Sequence, residues 1–561
     1  IAILVFLLPL FFLPLTTDFY GLNKTLLFHC SVGLLLILWA IKIVREKQIR
    51  LVRSPLNLPI LLYAGAYILS TVFVSPNKVE ALLGRAGLII SLTILYFIIA
   101  SHFTSEESPS TSLRATSQVL GASVIYPLIA SAALLSLIGI YQYVGVGAEL
   151  FGIPVWMQSK IWTPAGSPLV LLTFLLPVFI LSLILALKEK ESLSKTLLFL
   201  AAALQVIGCI LTISLIWPGQ EFSINLLPIR AGWQIAVSAF GVSPLFGVGP
   251  ENFLSAFTRF RPAYLNNLET WTARFLVSSN EYFQIFTTVG ILGLGAYFLL
   301  IWRTIIHLRG VPFDFAQGHL AGVVGGVVAL IFILQLFSPA NLMFLFLQFV
   351  LLAVLAKNGK ETTVRLATPW LIVVPFVLYS LVSIFYSGRA WLADYYLRQS
   401  FLAAAENKGK DTYDLQIKAA QLNPYVDKYR AAFSWTNLAL ANSIAGNPDI
   451  SDQDRQDVTQ LIQQTIREAK IATNLNGNKV TNWENLASIY RSLINFAEGA
   501  DQWTLAAYIP AIRLDPTNPL LRVDLGGLYY PLENYDDAIR QFQIATELKP
   551  DYTNGYYNSA V

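Results

Sequence analysis

The fold turns on one stretch, Leu226–Gln284, LLPIRAGWQIAVSAFGVSPLFGVGPENFLSAFTRFRPAYLNNLETWTARFLVSSNEYFQ. It holds four arginines (Arg230, Arg259, Arg261, Arg274), three acids (Glu251, Glu269, Glu281) and a glycine-proline turn, PLFGVGP. It interrupts a chain that is 55% hydrophobic and only 13% charged, with a mean hydropathy of +0.58. Such a composition leaves too few polar residues to cover a soluble globule throughout. The flanks of the stretch are therefore read as membrane, and the stretch itself as the large loop between spans.

Apolar runs of about 17 or more residues, the length a helix needs to cross a bilayer, occur at 1–16, 25–41, 56–74, 86–103, 119–141, 168–187, 196–217, 284–302, 320–337, 339–356 and 369–387. The expected fold class is all-α: a polytopic membrane domain of about eleven spans over 1–387, then an α-solenoid over 388–561. The first run is short, and with no basic region before it and ten runs after it, a cleaved signal peptide is a poor reading. Basic residues cluster on alternate sides: Lys42, Arg45, Lys47, Arg50 and Arg53 after the second run, Lys188, Lys190 and Lys195 after the sixth, Arg303 and Arg309 after the eighth, Lys357, Lys360 and Arg365 after the tenth. The opposite short loops carry only Lys24, Lys78, Arg85 and Lys160. The excess marks the cytoplasmic side, which puts 218–283 and everything after 388 outside it. The segment 310–319 reads as an ordinary cytoplasmic connector. In the smaller outward loop, 142–167, Trp156 and Trp162 read as interfacial anchors or as flanks of a lipid-linked substrate's entrance.

Cys30 and Cys209 both lie in apolar runs and suggest neither a disulfide framework nor a metal cluster. The histidines, His29, His102, His307 and His319, have no ligand spacing. No metal, cofactor or nucleic acid is expected. The apolar runs carry almost no ionisable residues at mid-depth, which weighs against a transporter.

From about Gly388 the composition turns to soluble helix, with Trp391, Tyr395 and Tyr396 expected at the membrane interface. Ala419/Pro424, Ala472/Gly477, Ala511/Pro516 and Ala545/Pro550 repeat one signature, and the last two are 34 residues apart. That is the period of the tetratricopeptide repeat. Leu525, Gly526, Tyr529, Ala538, Phe542, Ala545 and Pro550 match its small and large positions. Earlier units begin at Trp483, Leu486, Ala487 and Tyr490, and at Trp435, Leu438 and Ala439, the latter with an insertion around 446–458; the last repeat is incomplete. The resemblance implies a groove for a protein or peptide partner.

Within the opening stretch, Trp233, Val237 and Phe240 share one helical face. A second helix is expected to open at Pro250, with an apolar stripe of Phe253, Phe257 and Phe260. Two short amphipathic helices around a glycine turn suit a segment lying on a membrane surface. Arg259 and Arg261 flank Phe260, so on a helix they cannot point the same way.

The motifs W-x-x-A at Trp233–Ala236, SPLFGVGPENF at 243–253, NEYFQ at 280–284 and the glycine-rich VGILGLGAY that follows resemble the O-antigen ligase and polymerase family of multi-span membrane glycosyltransferases. The resemblance is close over about 230–300. It implies transfer of a glycan from an undecaprenyl-diphosphate carrier to a lipid, polysaccharide or protein acceptor, on the outer face of a bacterial cytoplasmic membrane and without a metal. Arginines would then bind and neutralise the diphosphate, since a guanidinium meets phosphate oxygens bidentately. Arg230, one residue short of the family's spacing ahead of the tryptophan, and Arg274 are the first candidates, with Arg259 and Arg261 behind them. The family commonly places a histidine immediately before the asparagine matched by Asn280; here Ser279 stands there. Glu281 is then the base, or the site needs no strong base, or activity is lost. Asn280 orients substrate or caps the following helix. The alternative to an enzyme is a membrane scaffold that recruits secreted partners through its repeats.

Overall fold

The structure is a computed structural model that describes residues 1–102, 124–145, 154–309, 320–356, 360–494 and 496–560; the expected connector at 310–319 lies outside them, as do 103 and 119–123 of two expected spans. In chain order the elements are α1 (Ala2–Leu10), α2 (Gly21–Glu46), β1 (Gln48–Arg53), α3 (Asn57–Phe73), α4 (Lys78–Leu83), α5 (Arg85–His102), α6 (Tyr126–Val144), α7 (Pro168–Lys188), α8 (Ser192–Ile216), α9 (Ile229–Val242), α10 (Phe253–Phe260), α11 (Glu281–Arg309), α12 (Leu320–Leu334), α13 (Leu342–Ala356) and β2 (Lys360–Arg365). Then come α14 (Trp370–Ala405), α15 (Gly409–Leu422), α16 (Asp427–Ala445), α17 (Asp452–Leu475), α18 (Val480–Ser492), α19 (Ala500–Leu514), α20 (Pro519–Tyr529), α21 (Tyr535–Leu548) and α22 (Thr553–Ala560).

Each of the eleven apolar runs falls on a helix. Among the described residues, seven helical stretches are long and apolar enough to cross a membrane, and α3, α12 and α13 are shorter apolar helices. On the first, α1 has 9 residues and carries Pro9, and it packs Leu4, Val5 and Leu8 into the bundle core.

On α14, Leu371, Val374, Leu378, Leu381 and Phe385 recur every three or four residues and are all more than half exposed. A continuous apolar stripe of that size facing outward marks a surface for lipid or for a partner. Further along the same helix, Ala390, Ala393, Leu397 and Ala403 are buried. The last turns of α14 pair with α15, so this apolar helix continues into the solenoid without a linker. The boundary read from composition at 388 lies inside this one helix.

After α15 the chain runs in antiparallel pairs, α16/α17, α18/α19 and α20/α21, each stacked on the next. Small residues let the paired helices approach. At Gly526 a Cβ would lie 2.5 Å from the Phe542 ring, and Leu525, Ala538, Phe542 and Ala545 are all buried. The insertion around 446–458 extends α17 to 24 residues, its start fixed by a capping box of Ser451 and Asp454.

One element was not anticipated. β1 and β2 pair antiparallel, with Gln48 opposite Arg365 and Arg53 opposite Lys360, making a basic ribbon from two segments read only as loops. The ribbon lies at one end of the bundle, because α2 runs from the other end directly into it. At that other end the solenoid docks: Thr17 Oγ1 donates to Asp394 at 2.7 Å, Asn77 to the Tyr425 carbonyl at 2.6 Å, and Asn476 to Asn252 at 3.3 Å.

Candidate functional site

The loop is built as a small core of its own. Leu227, Ala231 and Ile235 on one face of α9 pack against Phe253, Ala256 and Phe257 of α10 and against Leu265. α10 starts at Phe253 with Asn252 as its cap, three residues later than expected; Pro250 belongs to the preceding turn. Phe253 and Phe257 are buried inside the loop, so this stripe does not face a membrane. The opposite face of α9 does stay open. Ile229, Trp233, Val237 and Phe240 are 59%, 51%, 43% and 37% exposed, and Trp233 and Phe240 lie beside Phe283 and Phe286 of α11 at 5.6 and 5.3 Å.

The turn PLFGVGP repairs a broken helix. At Gly290, φ is +73° and α11 loses its regular backbone. Val248 and Gly249 donate to the freed carbonyls of Thr287 and Thr288 at 2.9 and 3.0 Å, while Ile291 donates to the Pro244 carbonyl at 3.0 Å. Ser70 of α3 bonds the Phe246 and Thr288 carbonyls at 2.6 and 3.0 Å. Backbone groups in an apolar setting must be satisfied internally, and here a distant loop does it. A Cβ at Gly247 would sit 2.5 Å from the Thr287 oxygen, and one at Gly290 2.6 Å from the Gly247 nitrogen.

At the head of α11, Asn280 caps the helix, accepting from the Phe283 amide at 2.8 Å. Glu281 is fully buried. One carboxylate oxygen accepts from the Arg85 guanidinium at 2.5 Å and the other from the Ala340 amide at 2.9 Å; Arg85 also donates to the Ala340 carbonyl. With both oxygens engaged and no exposure, Glu281 is not presented as a base for an acceptor hydroxyl; it ties α11 to α5 and to the turn before α13. Arg85 had counted only as a stray loop charge. Ser279 lies against α9, where a Cβ on Gly232 would come 2.2 Å from its hydroxyl. The hydroxyls of Ser278 and Ser279 are buried without a hydrogen-bond partner among the described residues.

The four arginines separate into two pairs. Arg274 forms two hydrogen bonds with Glu484 of α18, at 2.7 and 2.5 Å, and lies 3.6 Å from Asp515. Burial opposes its charge, yet Glu484 and Asp515 hold its pKa above the ordinary value. Arg261 is 5% exposed and donates to Asn266 and to the Trp271 carbonyl; burial lowers its pKa. Asn266 in turn donates to the Thr517 and Leu548 carbonyls at 2.9 and 3.0 Å, and Lys549 donates to its carbonyl at 2.8 Å. Arg261 and Arg274 thus fasten the loop to the repeats. Arg230 and Arg259 are exposed, stacked over the Tyr264 and Phe260 rings at 5.3 Å each, and neither pairs with a carboxylate among the described residues. Among the described residues no cluster of histidine, cysteine, aspartate or glutamate could hold a metal.

Ahead of α7, Trp162 is buried and packs edge-on against Phe12 at 5.2 Å, while Trp156 is 40% exposed. Lys24 is buried beneath them and donates to the Phe11 and Pro164 carbonyls at 2.6 and 2.5 Å. Trp391 stacks on Tyr395 and donates to Asn23 at 2.6 Å.

No family model matches the chain, and no curated protein matches it. Among solved structures, the chain is similar to YrrB, a TPR protein with an unusual peptide-binding site, at 15% identity over 34% of this chain and 83% of that one, with a TM-score of 0.24. It is also similar to human IFIT1 in a dimer with m7Gppp-AAAA, at 11% identity over 75% and 79% of the two chains and a TM-score of 0.26. Scores this low decide neither fold nor ligand. The repeat character of the solenoid rests on its helix pairs and on the Gly526–Phe542 packing.

Proposed function

We propose that the protein is a membrane glycan transferase that moves an oligosaccharide from an undecaprenyl-diphosphate carrier to a lipid, polysaccharide or protein acceptor on the outer face of a bacterial cytoplasmic membrane. One observation carries this reading. Arg230 and Arg259 are exposed and without carboxylate partners among the described residues, and Arg230 adjoins Ile229 at the edge of the open apolar face of α9. A lipid-linked diphosphate needs that combination: guanidinium groups for the phosphates and an apolar surface for the chain. In the reaction the acceptor oxygen bonds to the anomeric carbon as the bond from that carbon to the diphosphate breaks. The electron pair leaves with the diphosphate, where the arginines stabilise it, and the acceptor proton passes to the departing phosphate or to water. Asn280 and Glu281 hold the head of α11 in place. Arg261 and Arg274 are drawn off to the repeats, so the diphosphate role narrows to Arg230 and Arg259.

The orientation is supported by the basic ribbon β1–β2 at the end of the bundle opposite the loop, since positive segments stay cytoplasmic. The solenoid then lies outside and is available to a protein or peptide partner. The deciding measurement is carrier release by purified protein given a lipid-diphosphate glycan and candidate acceptors. Substituting Arg230 and Arg259 together by alanine is expected to lower the rate by about 10²–10³-fold with the fold intact. Unchanged release would remove both from the site. The scaffold reading draws its support from Glu281, whose engagement with Arg85 leaves no free acid at the head of α11; a protein that never releases carrier would favour it.

A further inference from the structure

Between the loop and the repeats lies a cleft of about 360 Å³, a volume at the lower end of small-ligand sites (~300–1,000 Å³). Arg261, Trp271 and Arg274 line it from the loop, and Glu484, Tyr508 and Asp524 from the solenoid. We propose that this cleft seats a neutral oligosaccharide, held by the loop and the repeats together.

The lining fits hydroxyl-rich rings better than charged or peptidic ligands. Sugar hydroxyls both donate and accept, and they are served by planar groups of both kinds held rigid. Glu484 and Arg274 fix each other through two hydrogen bonds, Asn518 donates to Asp515 at 3.0 Å behind them, and Asp524 is tied to Arg491 at 3.4 Å while half of its side chain remains exposed. Beside the cleft, two polar atoms have no hydrogen-bond partner among the described residues: the Nε of Arg261, 5% exposed, and one oxygen of Asp515, 1% exposed. Trp271 supplies an aromatic surface, its ring braced by Tyr552 at 5.5 Å and by Lys549 at 4.9 Å. The charges around the cleft are matched in pairs, Arg274 with Glu484 and Asp515 and Arg491 with Asp524, so the field does not single out the carrier's diphosphate or an acidic glycan. Peptide capture by strand addition needs a free sheet edge, and among the described residues the strands lie at the other end of the bundle.

The assignment of this sugar as acceptor or growing chain rests on the transferase reading; its binding does not. The test uses the full chain in lipid nanodiscs, titrated by calorimetry with neutral oligosaccharides of hexose and of N-acetylhexosamine, with an oligogalacturonate, and with a pool of random decapeptides. Saturable binding of at least one neutral oligosaccharide is expected. It should weaken about tenfold or more in Ser488→Trp, which fills the cleft, and in Asp524→Asn, which removes a half-exposed acceptor, and it should be unchanged in Gly295→Ala, where nothing lies within 4 Å of the added carbon. Absence of binding by every neutral probe, binding indifferent to both cleft variants, or displacement of the sugar by the peptide pool overturns the proposal. Carrier release is scored separately, so the cleft can fail while transfer stands, and transfer can fail while the cleft binds.

Discussion

Glu281 shows how one residue's neighbours set its role. A carboxylate beside an unmatched serine at the head of a helix reads, in sequence, as a base in waiting. Its side chain is instead fully buried against an Arg85 that is itself 18% exposed. Removing one partner of such a pair strands the other charge, at a cost of about 3–5 kcal/mol, whereas removing both costs far less. Glu281→Gln is therefore expected to lower the thermal midpoint in detergent sharply, and Arg85→Gln with Glu281→Gln to recover most of the loss. If Glu281→Gln instead abolishes carrier release without moving the midpoint, the carboxylate acts chemically. Arg85 was illegible for a simple reason: it lies 196 residues away from Glu281, and nothing local to either residue marks the pair. Arg259 and Arg261 do point apart, the first exposed and the second buried, but Arg261 lies past the end of α10 in extended backbone, so the helix's end separates them and not the helical spacing read from the sequence.

The broken helix sets the same contrast between elements. PLFGVGP was legible as a glycine-proline turn and VGILGLGAY as glycine-rich. The break at Gly290 was not, because apolar character runs unbroken through it and the groups that repair it come from some forty residues earlier. The ribbon β1–β2 escaped for the same cause, two six-residue strands over 300 positions apart, whereas the repeats were read correctly because their small and large residues recur within a single unit. The glycines of α11 make the break testable. Gly290→Ala combines a left-handed backbone with a Cβ 2.6 Å from backbone atoms, and Gly247→Ala a φ of +67° with one 2.5 Å away. Each is expected to lose at least about 1–3 kcal/mol. Gly295→Ala, with nothing within 4 Å of the added carbon, is the control and should melt like the parent. Equal midpoints for all three would mean that the turn and the helix are not locked together.

Across the molecule, α14 joins the bundle to the solenoid through continuous backbone, and the loop joins them through side chains. The second junction contains a buried acid. Burial pushes Asp515 up from its ordinary 3.8 to about 6, with Arg261 and Arg274 pulling it back. Above pH 6 the folded and unfolded chains both carry the charge, and the folded state bears the full penalty of burying it. As pH falls from about 6 towards 3.8 the folded chain takes up its proton first, so the penalty fades and is gone once both states are protonated. Its size at neutral pH is about 3 kcal/mol at most. Asp515→Asn keeps the shape and drops the charge, leaving Glu484 to hold Arg274 and Asn266 to hold Arg261. Its thermal midpoint should exceed that of the parent near pH 7 to 8, and the gap should close towards pH 4. A variant that is less stable at every pH would show that the Asp515 charge, paired with Arg274 at 3.6 Å, contributes more by attraction than it costs by burial; the loop would then be held to the repeats by an ion network and should loosen with added salt.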